Sequence, residues 1–122
     1  MTHLGNVEAT VVIADDDALV RMVLRRAVAK RGNPVVEASD GAEALVAVAA
    51  SGAPLIVLDA NMPGGDLYET LDRLRSDHPA VEILVMSGDD RLAPTLPAGV
   101  SFLAKPLDLT VFYNALDRML PA

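Results

Sequence analysis

The strongest constraint on the fold is an alternation of two kinds of apolar segment. Short, continuously apolar runs stand at Val11-Val12-Ile13-Ala14, Leu55-Ile56-Val57-Leu58, Ile83-Leu84-Val85-Met86 and Phe102-Leu103-Ala104. Runs this short, rich in β-branched residues and bounded by turn formers, suit strands buried on both faces. Pro34-Val35-Val36 is a weaker fifth run.

Between the runs lie segments with helical spacing. Leu19/Val20, Val23/Leu24 and Ala27/Val28 recur at three and four residues, behind Asp17 as a cap. Arg21, Arg25, Arg26, Lys30 and Arg31 would line the outer faces of that helix, toward solvent or a docking partner. An Ala-rich helix follows Asp40 and stops at Gly52 and Pro54. Leu67, Leu71 and Leu74 share a face behind Asp66, and Val111/Phe112, Ala115/Leu116 and Met119/Leu120 form a last helix behind Asp108. Strand alternating with helix predicts an α/β domain with a parallel sheet. From Ser87 to Val100 the pattern fails, and Pro94, Pro97 and Gly99 leave room for one short helical turn.

A chain of 122 residues fits a single domain, read as a tail over residues 1–9 and a folded unit over 10–122. Aromatics are only 3%, so the core must be aliphatic. The net charge of −7 provides no basic footprint for nucleic acid or an anionic membrane. Cys is absent, so thiolate metal sites and disulfides are excluded. The longest uncharged stretch, Ala44 to Leu58, is too short to span a bilayer, and the N-terminus has no signal-peptide pattern. A cytoplasmic location is the expectation.

Each long run ends in a residue with chemistry. The first leads into Asp15-Asp16-Asp17, the second into Asp59, the third into Ser87 and the fourth into Lys105. Any one of these is ordinarily a turn residue where the chain leaves the core. Together they matter, because the carboxyl edge of a parallel sheet gathers strand ends at one mouth. Asp15, Asp16 and Asp59 brought close would repel each other, and one Lys cannot offset three carboxylates. A hard divalent cation can, with Mg²⁺ the natural choice and Mn²⁺ an alternative. Such a site can hold a phosphoryl group, with Ser87 and Lys105 on its oxygens. A carboxylate can itself be the nucleophile, giving an acyl phosphate. Asp59 suits that role best, since Asp15 and Asp16 are adjacent and can hold metal together.

These residues resemble the receiver domain of two-component response regulators. The resemblance covers about Thr10 to Leu120 and is carried by Val-Ile-Ala-Asp-Asp-Asp (12–17), Leu-Asp-Ala-Asn-Met-Pro-Gly (58–64), Met-Ser-Gly (86–88) and Phe-Leu-Ala-Lys-Pro (102–106). It implies a flavodoxin-like, doubly wound five-stranded sheet of order 2-1-3-4-5 with helices on both faces, to which the residues between Ser87 and Val100 add a shortened fourth helix. It further implies Asp59 as phosphoacceptor and Asp16 as direct metal ligand, with Asp15 acting mainly through water. Asn61 would ligate through its backbone carbonyl, Ser87 and Lys105 would bind the phosphoryl group, and Phe102 would be the switching aromatic. The Lys105-Pro106 bond would be cis. Leu19, Val20, Arg21 and Pro106 would lie near the partner contact. Two departures stand out. Leu67 replaces a glycine usual in the family, with Gly64 and Gly65 left to supply the turn, and the fourth helix is short by roughly one turn. Short versions of that region resemble receivers of hybrid histidine kinases, or stand-alone ones.

The function expected is a phosphorylation-controlled switch. Its donor would be a histidine kinase or histidine phosphotransfer protein, and its output a contact with a downstream protein rather than DNA. The oligomeric state stays open. One rival is a Mg²⁺-dependent phosphatase with Asp15 as nucleophile and Asp17 as acid/base. Another is an unphosphorylated docking module of receiver shape. His3 and His78 read as solvated, and Asp89-Asp90 as a solvated turn.

Overall fold

The computed structural model describes residues 9–120. The tail placed over 1–9, with His3, therefore lies outside the described residues except for Ala9. In chain order the elements are β1 (Val11–Ala14), α1 (Ala18–Lys30), β2 (Val35–Ala38), α2 (Gly41–Ser51), β3 (Leu55–Asp59), α3 (Leu67–Asp77) and β4 (Glu82–Ser87). A 3-10 segment (Asp90–Thr95), β5 (Val100–Ala104) and α4 (Leu109–Met119) complete it. The five strands form one parallel sheet of order β2-β1-β3-β4-β5.

Strand alternation sorts the core into two layers. Val11, Ile13, Leu55, Val57, Leu84 and Met86 face Leu24, Ala27 and Val28 of α1 and Phe112, Ala115 and Leu116 of α4. On the opposite face, Val12, Ala14, Ile56, Leu58, Ile83 and Val85 meet α2 and α3. The continuous apolar runs of β1, β3 and β4 are the three interior strands, and the weak run of β2 is an edge. The run at Phe102-Leu103-Ala104 departs from the sequence expectation of two-sided burial. β5 is the other edge strand, where only Leu103 is buried, Phe102 is half-buried and Ala104 is exposed. It has a neighbour on one side alone, and next to it in the chain stands the 3-10 segment instead of a full helix.

Caps start the helices where the sequence places them. Asp17 Oδ1 accepts from the N–H groups of Leu19 and Val20, Asp40 Oδ1 from Glu43 and Asp108 Oδ1 from Val111. Asp66 precedes α3 but makes no capping side-chain bond. Pro94 lies within the 3-10 segment, where its missing N–H and fixed φ oppose a longer helix. Gly64 has φ +83, so the turn before α3 takes its left-handed residue there and Leu67 begins the helix with ordinary geometry. No helix among the described residues is long and apolar enough to cross a membrane.

Candidate functional site

Parallel register brings the strand ends together. Asp59 is the last residue of β3 and pairs with Met86, Ser87 ends β4 beside Ala104, and Asp15 follows β1 with its N–H on Ala38 O at 3.0 Å. The Lys105 N–H donates to Ser87 O at 2.8 Å, which carries the ladder one residue beyond β5. The Lys105-Pro106 peptide is cis, as the resemblance implies.

One carboxylate oxygen from each of Asp15, Asp16 and Asp59 lies within 4.8 Å of the others. Asp15 and Asp59 are buried, at 1% and 5% exposure, while Asp16 is open to solvent. Lys105 Nζ donates to Asp15 Oδ2 and to Asp59 Oδ1, each at 3.2 Å. Burial opposes the charge on this lysine, but Asp59 and Asp15 outweigh it and raise its pKa above the ordinary lysine value. Backbone orients both carboxylates further: the other oxygen of Asp15, Oδ1, accepts from Asp17 N at 2.9 Å, and the same Asp59 Oδ1 that meets Lys105 also accepts from Asn61 N at 3.2 Å. Three carboxylates face one ammonium, so the cluster keeps a surplus of negative charge. Hard oxygen donors this close fit a small divalent cation.

The Ser87 hydroxyl is buried and accepts from Asp89 N at 3.0 Å. Asp89 in turn caps the 3-10 segment and pairs with Arg91, whose hydrogen bonds hold its carboxyl below the usual range. A groove of about 320 Å³ runs from Asn61 and Met62 past Ser87 to Tyr68, Asp89 and Leu92. Tyr68 Oη and Thr95 Oγ1, 2.6 Å apart, join α3 to the 3-10 segment.

Residues 11–117 match the response regulator receiver domain family. The chain belongs to that family. The transcriptional regulator NtrC of Rhizobium meliloti is 33% identical to this receiver over 116 residues, which is 92% of this chain and 24% of NtrC. The sensor kinase CckA of Brucella abortus is 36% identical over 118 residues, 92% of this chain and 12% of the kinase. This receiver thus spans a quarter or less of the length of these curated relatives. The chemotaxis protein CheY4 of Vibrio cholerae superposes with a TM-score of 0.82 at 24% identity, covering 93% of this chain and all (100%) of that one, a likeness of fold. The receiver domain of hybrid histidine kinase CckA superposes with a TM-score of 0.79 at 29% identity, over 93% of this chain and 100% of that one.

The structure brings Asp15, Asp16, Asp59 and Lys105 into direct proximity. Phe102 pairs in register with Val85 and packs half-buried against the layer that holds α2 and α3. Of the residues assigned to a partner contact, Leu19 is 65% exposed and Pro106 is exposed, which leaves both accessible. Val20 instead packs against the core, and Arg21 is turned inward onto Asp15 O and Glu37. Arg31 likewise bonds Asp117 and Asn33 rather than facing solvent freely. Helical spacing alone missed these contacts because it assigns a face without saying which acceptors stand beside it.

Proposed function

We propose that this receiver accepts a phosphoryl group on Asp59 from a phosphohistidine carried by a histidine kinase or histidine phosphotransfer protein. The observation that carries this reading is the buried Asp59 carboxylate held against Lys105 Nζ with Asp15 and Asp16 alongside. A carboxylate oxygen of Asp59 attacks phosphorus as the P–N bond breaks. The electron pair leaves on the imidazole nitrogen, and the product is an acyl phosphate. Lys105 donates to a phosphoryl oxygen, and the Ser87 hydroxyl, which uses an oxygen lone pair toward Asp89 N, keeps its own proton to donate to another. Asp15, Asp16, Asp59 and the Asn61 carbonyl would hold Mg²⁺ or Mn²⁺, and a cation held there would supply positive charge to offset that on the phosphoryl oxygens.

The modified state is a population shift, driven by contacts that the phosphoryl group makes better in one conformation. Phe102 on edge strand β5 would relay the change to a protein-binding surface. The folded unit is taken as 10–122 and its place as the cytoplasm. A net charge of −7 supports a protein rather than nucleic acid as the output partner. The alternative of a receiver working within a hybrid kinase finds support in the similarity to CckA and in the six-residue 3-10 segment where receivers usually carry a fourth helix. The phosphatase reading is disfavoured, because the Asp17 carboxylate that would serve as its acid/base caps α1.

Acetyl phosphate with MgCl₂, followed by intact mass, tests the proposal. One added phosphoryl group per chain is expected, none in Asp59→Asn, and none in EDTA. An unlabelled wild type, under conditions that label another receiver, would mean a docking module instead.

A further inference from the structure

We propose that Arg21 is a positioning residue for the cation-binding turn: it fixes the peptide between Asp15 and Asp16 so that both carboxylates meet an incoming Mg²⁺ already aimed. The proposal rests on the reading of the acidic cluster as a cation site. Arg21 lies four residues after the cap Asp17, in the first turn of α1. Helical side chains lean toward the N-terminus of their helix, which carries this guanidinium back beneath the acidic turn. There Nη1 donates to Asp15 O at 2.6 Å while Nε donates to Glu37 Oε1 at 3.1 Å. Glu37 stands on β2 in register with Ile13 of β1, so the guanidinium is anchored to the strand beside the one that delivers Asp15. Arg25 Nε holds the other oxygen of Glu37 at 3.2 Å.

The two arginines differ in what they can do. Arg21 has a side chain only 20% exposed and reaches the backbone of the site; Arg25 is 49% exposed and reaches Glu37 alone. A charge-assisted hydrogen bond that is partly withdrawn from water constrains geometry more firmly than an exposed pair. Asp15 has three further restraints, from Ala38 O on its N–H and from Asp17 N and Lys105 on its carboxylate. Asp16 is exposed, so its carboxylate is aimed chiefly by the backbone it stands on, and the Arg21 contact sits on the carbonyl that begins that backbone. Groups that orient metal ligands in this way commonly change affinity by about 10–100-fold when removed.

The test uses the full chain with MgCl₂ alone. Calorimetric Mg²⁺ titrations are set beside thermal unfolding in EDTA and acetyl phosphate labelling rates across Mg²⁺ concentration, for wild type, Arg21→Met, Arg21→Lys, Arg25→Met and Glu37→Gln. Arg21→Met should weaken Mg²⁺ about tenfold. Its labelling should need correspondingly more Mg²⁺ for half-saturation while the rate at saturation stays close to wild type. Arg21→Lys should recover part of the loss, Glu37→Gln should fall between, and Arg25→Met should bind Mg²⁺ like wild type. A merely structural Arg21 would lower the unfolding temperature in EDTA and leave Mg²⁺ affinity untouched, which overturns the proposal. Should Arg21→Met fail to fold, unchanged affinity in both Arg21→Lys and Glu37→Gln overturns it equally. A wild type that takes no Mg²⁺ overturns the cation-site reading, and this role with it.

Discussion

At the scale of single residues, Lys105 decides how the acidic cluster is tolerated. Its ammonium bridges Asp15 and Asp59, and the attraction raises its pKa although burial opposes the charge. The sign of the pH effect follows. A group whose folded pKa lies above its unfolded value stabilises fully below the unfolded pKa, and the benefit fades as pH rises through the folded pKa. For lysine the unfolded value is about 10.4. Lys105→Met should therefore be less stable than wild type at neutral pH in EDTA. The gap should narrow only in alkaline solution, above roughly pH 10. Urea unfolding of both proteins across that range checks it, and a gap that closes already near neutrality would contradict the assignment. Ser87 belongs to the same scale: it is a buried hydroxyl that accepts from Asp89 N, so its oxygen is fixed while its proton can still turn.

Among the elements, α3 and α4 offer a controlled comparison. Both follow an aspartate, and both are amphipathic, but only Asp108 reaches a helical N–H, that of Val111 at 3.2 Å. Asp108→Ala should cost about 1 kcal/mol, whereas Asp66→Ala should stay within about 0.5 kcal/mol. Urea unfolding followed by circular dichroism measures both, with acetyl phosphate labelling expected to be unchanged in the first. The caps at Asp17, Asp40 and Asp108 could be read directly from the chain, because each precedes an apolar helical pattern. Asp66 has the same sequence signature, and local pattern does not say which side-chain rotamer the surrounding turn permits. The tie from Tyr68 to Thr95 was equally hidden, since the partners lie 27 positions apart with loop and strand between them.

For the whole molecule, two aliphatic layers share the burden of a core with very few aromatics. Phe112 is the largest fully buried side chain and packs in the layer formed with α1. Phe112→Ala should cost about 3–5 kcal/mol, a large part of the roughly 5–15 kcal/mol that holds a domain of this kind together. Val46→Ala, at a residue 68% exposed, should change stability by less than about 0.5 kcal/mol. Denaturant midpoints at fixed protein concentration distinguish them, and a mild Phe112→Ala would mean that the layer collapses to fill the space.

The chain by itself determined the alternation of strand and helix, the aliphatic core and the kinds of side chain standing at four strand ends. Those are properties of local pattern: apolar periodicity, caps and turn formers act within a few residues of one another. Tertiary structure decided the rest. It set which strands became neighbours, and so placed Asp15, Asp16, Asp59 and Lys105 within reach of one another from turns up to 90 positions apart. It also left Phe102 half-buried and Ala104 exposed on β5 despite that strand's apolar run, and turned Arg21 from an outer face onto the peptide beneath the acids. Contacts of that kind depend on strand register and on which acceptors a fold brings beside a helix, and neither quantity is encoded in spacing along the chain.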